Sequence, residues 1–424
     1  MFGLKPPVLA RLWAGAATAA TPALRLMLRS RAARGKEIAG RLPERRGIDS
    51  MPRPQGHLLW LHAASVGETV SILPVLSALV RLAPDLSILL TTGTVTSARL
   101  LDRRLPELGL DAQVRHRFAP LDVPAWVNRF LDHWRPDAAG FVESELWPNQ
   151  LLACQRRGIP LMLLNGRMTP RSHAAWARVP SLARPVLASF ARIQARGETD
   201  AVRMRALGAP AVETPGDLKF AAPPLPADPS ELARLRAILA GRPVWLAAST
   251  HPGEEALIAA IHHQIAPDHP GLVTLIAPRH PERGPALAQA LQAGRRSAGD
   301  LPDGIWIADT MGEMGLWYRL APVAFVGRSL LLPGGGQNPL EPARLGCAIV
   351  VGPHTGNFTD HVALLREAGG LIEAANADAL ARCVATLLDN PAHRTRMGDR
   401  AAAAIQRHAG LPEQVATALL ALLA

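Results

Sequence analysis

From Leu58 onward the chain repeats one pattern, a short apolar run followed by a longer Ala- and Leu-rich helical stretch. The segments LLWLH, LSILLTTGT, AAGFVESEL, IPLMLLNGR and FARIQAR are predicted as strands. The alternation pauses at Ala221 to Ser230, where AAPPLPADPS places four prolines in ten residues. It then restarts with VWLAAST, LVTLIAP, IWIAD, VAFVG and AIVVG, and the stretch from Ala377 to Ala424 reads as helices. Strands alternating with helices imply parallel sheets with right-handed crossovers. The pattern therefore predicts an α/β protein of two doubly wound, Rossmann-like domains facing each other across a cleft. Ligands are expected at the carboxyl ends of the strands. The expected boundaries are an arm over 1–46, a first domain over 47–222, a linker over 223–229 and a second domain over 230–424.

A chain of 424 residues with 48% hydrophobic and 19% charged residues suits two globular domains. Aromatic residues are only 4%, too few for base-stacking platforms, so nucleic acid is not an expected partner. The net charge is +11, and it is concentrated at the start of the chain. Residues 1–46 hold ten Lys/Arg, from Lys5 to Arg46, against Glu37 and Glu44, which is 10 − 2 = +8. Beside this charge lies the apolar stretch Leu12–Leu24, short of the roughly 20 residues that span a bilayer. Two readings stand: a helix in the membrane interface with Arg29 to Arg46 against anionic lipid, kinked at Pro22, or an amphipathic helix packed on the body. Three widely spaced cysteines, with no CxxC, suggest buried thiols rather than a disulfide framework or a zinc site.

The candidate chemistry lies where strands pass into helices. Such starts gather free backbone N–H groups and the positive end of a helix dipole. In LWLHAASVGE, Glu68 follows Ser65 by three, the spacing of a capping box, and it is also a carboxylate able to take a proton from an acceptor hydroxyl. FVESELWPN places Glu143 and Glu145 past a strand end, where extended alternation would put both on one side. GDLKF offers Lys219 just before the proline-rich stretch. The second half carries four anion-type loops: Ser249-Thr250 with HPGE after them, Pro278-Arg279, Met311-Gly312-Glu313, and GGGQNPLE with Asn338, Pro339, Leu340 and Glu341. In the last, Asn338 is expected as cap, Pro339 at the first helical position and Glu341 closing the box. No Walker or GxGxxG fingerprint is present, no metal-ligand spacing links His62, His251 and His280, and no G-x-S-x-G marks a serine hydrolase. Neither a metal nor a cofactor is expected.

The motifs HAASVGE, ESELWPN, LNGRMTPRS, GDLKF, ASTHPGEE, PRHPER, DTMGE, FVGRSL and GGGQNPLE occur in this order. From about Lys36 to Ile372 the chain thereby resembles the 3-deoxy-D-manno-octulosonic acid (Kdo) transferases of lipopolysaccharide assembly, which are similar to the GT-B glycosyltransferases. The resemblance implies an inverting transfer of Kdo from CMP-Kdo to a lipid A precursor, lipid IVA, at the cytoplasmic face of the inner membrane. It gives Glu68 the place of the general base and puts Glu143 and Lys219 beside the transition state. Pro278-Arg279, Met311 to Glu313 and Asn338 to Glu341 match the CMP contacts. Gln337 stands where the family usually has His, and Arg328 where it usually has Gly. Other outcomes left open are a GT-B transferase for another nucleotide sugar and a non-catalytic scaffold binding acidic lipid.

Overall fold

The computed structural model describes residues 7–423, so Lys5, counted in the basic arm, lies outside the described residues. The chain divides into two compact units, one comprising the chain up to Ala222 and from His408 onward, the other running from Pro223 to Arg407. The first unit holds a seven-stranded parallel sheet of β1 (Leu58–His62), β2 (Ser87–Thr92), β3 (Val114–Phe118), β4 (Ala138–Val142), β5 (Leu161–Gly166), β6 (Phe190–Ala195) and β7 (Val212–Glu213). Their order is β3-β2-β1-β4-β5-β6-β7. The second holds β8 (Val244–Thr250), β9 (Val273–Pro278), β10 (Gly294–Arg295), β11 (Ile305–Ile307), β12 (Val323–Val326), β13 (Ala348–Val351) and β14 (Leu371–Glu373), ordered β10-β11-β9-β8-β12-β13-β14. All pairings are parallel. In each sheet the strand order reverses beside the first strand, between β1 and β4 and between β8 and β12, which is where an open α/β sheet leaves a ligand crevice.

The last helix, Leu411–Leu420, was expected with the second domain but belongs to the first unit. Leu411, Val415 and Leu419 recur at helical spacing and share a core with Ile72, Leu76 and Leu79 of helix α3 (Val66–Leu82). Gly140 in β4 admits that helix, because a Cβ there would come within 3.2 Å of Leu419 Cδ2 and 2.7 Å of Leu61 Cδ2.

The arm is also not a separate body. It forms helices α1 (Val8–Ala19) and α2 (Thr21–Ala33), with Pro22 in the first turn of α2, where it starts a helix rather than kinking one. Ala10 and Leu28 are buried, Leu28 beside Val123 and Trp126. Part of the expected lipid-facing charge is turned inward. Arg45 is buried, pairs with Glu37 at 3.1 Å and donates to the carbonyls of Thr92, Gly93 and Ala119. A buried guanidinium is tolerable there because it satisfies strand-end carbonyls as well as a carboxylate. Arg31 pairs with Glu37 at 3.2 Å and Arg41 with Glu44 at 2.7 Å. Among the described residues no helix is long and apolar enough to cross a membrane.

Candidate active site

In the first unit, β1 runs through Ala63 and Ala64 into α3. Ser65 is the N-cap of that helix, its hydroxyl accepting from Glu68 N at 3.3 Å. The Glu68 carboxylate turns back, accepting from Ala64 N and from Ser65 Oγ, each at 2.7 Å. The Ser65 half of the expected capping box is formed, while the carboxylate takes the N–H of Ala64 in place of that of the cap residue, and these bonds hold it at the reversal point of the sheet. Glu68 is only 8% exposed. Burial raises its pKa above the usual carboxylate value, Glu145 and Glu143 add to the rise, and the bonds from Ser65 and Ala64 oppose it.

The backbone leaves β4 abruptly. Glu143 adopts a left-handed φ of 60°, so the expected extended alternation to Glu145 is broken and the two carboxylates take different partners. Glu143 Oε1 lies 2.6 Å from Lys219 Nζ. Glu145 Oε2 lies 3.2 Å from His62 Nε2 and accepts from the Trp147 indole. Burial alone would raise the Glu145 pKa, but the bond and charge of His62 together with the Trp147 bond bring it below the usual range. Lys219 sits on a short 3-10 turn, Leu218–Ala221, held from the end of β5. Asn165 Nδ2 donates to Asp217 Oδ1 at 3.0 Å, Asn165 Oδ1 accepts from Leu218 N at 2.9 Å, and Asp217 Oδ1 accepts from Lys219 N at 2.9 Å. Glu143, Lys219 and Glu68 are thus brought together by the ends of β1, β4 and β5.

In the second unit β11, β9, β8 and β12 are sheet neighbours, so the loops that follow them lie side by side. Glu254, which follows His251 by three, is the organiser. Its carboxylate accepts from His251 N at 3.0 Å and from the N–H groups of Arg328, Ser329 and Leu330 at 2.7 to 3.1 Å. Gly327 passes so close to the end of β8 that a Cβ would meet Ser249 O at 2.8 Å. Ser249 and Arg328 adopt φ of 54° and 56°. Arg279 is exposed, and its N–H donates to Thr250 O at 3.0 Å. Met311, 80% exposed, and Gly312 open the loop after β11.

Several expected ligand contacts have structural duties. The Thr250 hydroxyl is buried and donates to Glu255 at 3.0 Å, and Arg283 clamps the same carboxylate at 2.6 Å. Glu313 is held by Arg296 at 2.8 Å and by Thr310. Burial opposes its ionisation, but those partners keep its pKa low. Pro278, Pro339 and Leu340 have buried side chains, which leaves their backbone as the part able to meet a ligand. In GGGQNPLE, Asn338 Oδ1 caps Leu340 N at 3.1 Å, while Glu341 accepts from the Asn338 amide at 3.2 Å instead of from a backbone N–H. The helix begins at Leu340, one residue after the expected Pro339. Burial raises the Glu341 pKa, opposed by Asn338, Arg344 and Arg279. Gln337 Nε2 lies 3.0 Å from His251 Nε2.

The contributions of His62, Asn165, Asp217 and Glu254 were missed as functional support. Glu254 and Asp217 carried local signals, a capping spacing from His251 and a cap two residues before Lys219; His62 and Asn165 act through residues 29 to 83 positions away.

Residues 40–222 match the family model of 3-deoxy-D-manno-octulosonic-acid transferase (kdotransferase). The chain is 35% identical over 399 residues to the probable 3-deoxy-D-manno-octulosonic acid transferase, mitochondrial, of Arabidopsis thaliana, covering 90% of this chain and 88% of that protein. It is 34% identical over 377 residues to the 3-deoxy-D-manno-octulosonic acid transferase of Haemophilus influenzae, covering 85% and 86%. In fold alone it is similar to a solved UDP-GlcNAc 2-epimerase from Neisseria meningitidis, with a TM-score of 0.59 at 13% identity over 86% of this chain and all of that one. The two parallel seven-stranded sheets are of the GT-B kind, and a relationship at this identity over nearly the whole length establishes that the chain belongs to the 3-deoxy-D-manno-octulosonic acid transferase family of glycosyltransferases.

Proposed function

We propose that the protein transfers Kdo from CMP-Kdo to a hydroxyl of a lipid A precursor, with inversion, and that Glu68 is the general base. The observation that carries this reading is a buried carboxyl of raised pKa at the strand-order reversal of the first unit. As the acceptor oxygen attacks the anomeric carbon, its proton passes to Glu68, and the bond to the CMP phosphate breaks with its electrons leaving on CMP. The Glu143–Lys219 pair is the charged group beside Glu68, suited to an oxocarbenium-like centre and to the Kdo carboxylate. Arg279 and the loops ordered by Glu254 are the groups proposed to hold CMP and offset the charge it carries away. No step calls on a metal.

The setting proposed for this reaction is the cytoplasmic face of the inner membrane. Val8, Leu12, Trp13, Leu26 and Met27 are exposed apolar residues on α1 and α2, and Arg11, Arg25, Arg29, Arg34 and Lys36 are exposed near them in the chain. A helical pair of that composition suits anionic lipid. The deciding assay incubates purified protein with CMP-Kdo and tetraacylated precursor in EDTA. Release of CMP and a product heavier by Kdo is expected. No product with or without added magnesium would overturn the reading, and rescue by magnesium alone would overturn its metal-free form.

A further inference from the structure

Beneath α1 and α2 the first unit has a cavity of about 600 Å³, partly open to solvent. Ala17, Ala20, Leu24 and Met27 of the helical pair line one side, and the loop from Ala119 to Val123 lines the other. Its volume and largely apolar lining are those of a ligand site. Small alanines keep the space open where larger residues would fill it.

The charged groups that reach the cavity are already engaged, and of Gln150 the Nε2 donates to Pro120 O while Oε1 is buried without a partner. Arg45 is spent on Glu37 and on strand-end carbonyls, and His62 stands between Thr91 and Glu145. Apart from that one amide oxygen the lining offers no call for a polar occupant. At the same end the cavity is lined by Ala64, whose N–H holds the Glu68 carboxylate. An occupant thus has an apolar body in the cavity and a polar end beside the proposed base. The outer faces of the same helices expose Leu12 (61%) and Leu26 (69%), so a membrane-borne tail would have a short route in.

We infer that this cavity takes one fatty acyl chain of the acceptor lipid, positioning the sugar hydroxyl at Glu68; the acceptor's identity rests on the transferase reading above. The site recognises an alkyl chain carried on the acceptor sugar. Each methylene drawn into it should tighten binding by roughly fourfold until the space is full.

The test pairs Ala17→Trp and Ala20→Trp, both of which fill the cavity, with thermal melts to confirm folding. Binding is measured directly with N-acyl glucosamines of increasing chain length. Wild type should bind more tightly with each added methylene, and at least one folded variant should lose tenfold or more on the longest chain. Transfer is measured with the tetraacylated precursor and with its deacylated sugar. KM for the tetraacylated acceptor should rise at least tenfold, with kcat and the KM for CMP-Kdo held. The deacylated sugar should be used as well as by wild type. Chain-length-independent binding by wild type overturns the inference. So does equal loss on both acceptors, which would make the helical pair a mere support, or no loss on either, which would leave the cavity to another occupant such as a second copy of the chain. Chain-length-dependent binding without any Kdo transfer would sustain the acyl site and remove the transferase reading instead.

Discussion

Glu68 serves a helix start and a proposed proton transfer with the same two oxygens. Its cap alone is worth about 0.5–2 kcal/mol, whereas general-base work is worth roughly 10²–10⁴-fold in rate. Gln fits a capping box as well as Glu, so Glu68→Gln separates the two roles. Turnover should fall by about that factor while the melting temperature at neutral pH is kept or raised. Wild-type turnover in the variant would leave only the cap. The pH dependence follows from the raised pKa. In the proposed role the carboxylate is the active form, so kcat should rise with pH along a limb lying above the ordinary glutamate range. Stability has the opposite sign: a carboxyl with a raised folded pKa contributes stability below that pKa and loses it as pH rises through it. The variant should lack both slopes.

Elements of the first unit hold their reactive groups through polar ties at their ends. The turn bearing Lys219 depends on Asn165, which bonds both Asp217 and Leu218 N. Asn165→Ala should release that turn and lower kcat by tenfold or more, with the CMP binding proposed for the second unit nearly unchanged in calorimetry; unchanged kcat would show that Lys219 needs no such support. A second tie fixes α1. Asp122 accepts from Trp13 Nε1 at 2.8 Å and from the N–H groups of Asn149 and Gln150 at 3.2 and 2.9 Å. Burial pushes its pKa up to about 6, against those bonds. The folded state therefore takes up a proton between about pH 4 and 6, and the stability from this group is lost as pH rises through that window. A shift of two units corresponds to ~3 kcal/mol. Asp122→Asn should remove that slope in melts run from pH 4 to 7, and an unaltered slope would place the titration elsewhere.

The molecule as a whole carries its positive charge near its beginning, and the fold sorts that charge into two uses. Arg31, Arg41 and Arg45 pair with Glu37 and Glu44 inside the arm, and the arm is tied to the sheet by Arg45 on the carbonyls of Thr92, Gly93 and Ala119 and by Glu44 on Phe118 N, while Arg11, Arg25, Arg29, Arg34 and Lys36 stay exposed. Deleting the arm would uncover Val123 and Trp126, so the informative change is on its outer face. Leu12→Asp with Leu26→Asp should abolish flotation with anionic vesicles while leaving turnover on detergent-dispersed acceptor largely intact. Wild type should prefer anionic to neutral vesicles and be partly released by salt. Equal flotation of the double variant and wild type would remove the membrane role of these helices.

Ten strands were legible as apolar runs, and the four that were not, β3, β7, β10 and β14, are the outer strands of the two sheets. An inner strand of a parallel sheet is covered on both faces and must be apolar throughout, whereas an edge is short or half-exposed: β3 reads VRHRF, and β7 and β10 have two residues each. Capping spacings made Glu68 and Asn338 visible because a helix start is a local device. Local spacing could not reveal the pairing of Glu143 with Lys219, the Asn165 tie, the inward turn of Arg45 or the return of the last helix to the first unit, since each joins residues distant in the chain. Nor could it show the left-handed backbone at Glu143, Asn165, Ser249 and Arg328. Side chains seldom adopt that conformation unless the surrounding fold imposes it, and here it is imposed at the carboxyl ends of the strands, where the candidate site is built.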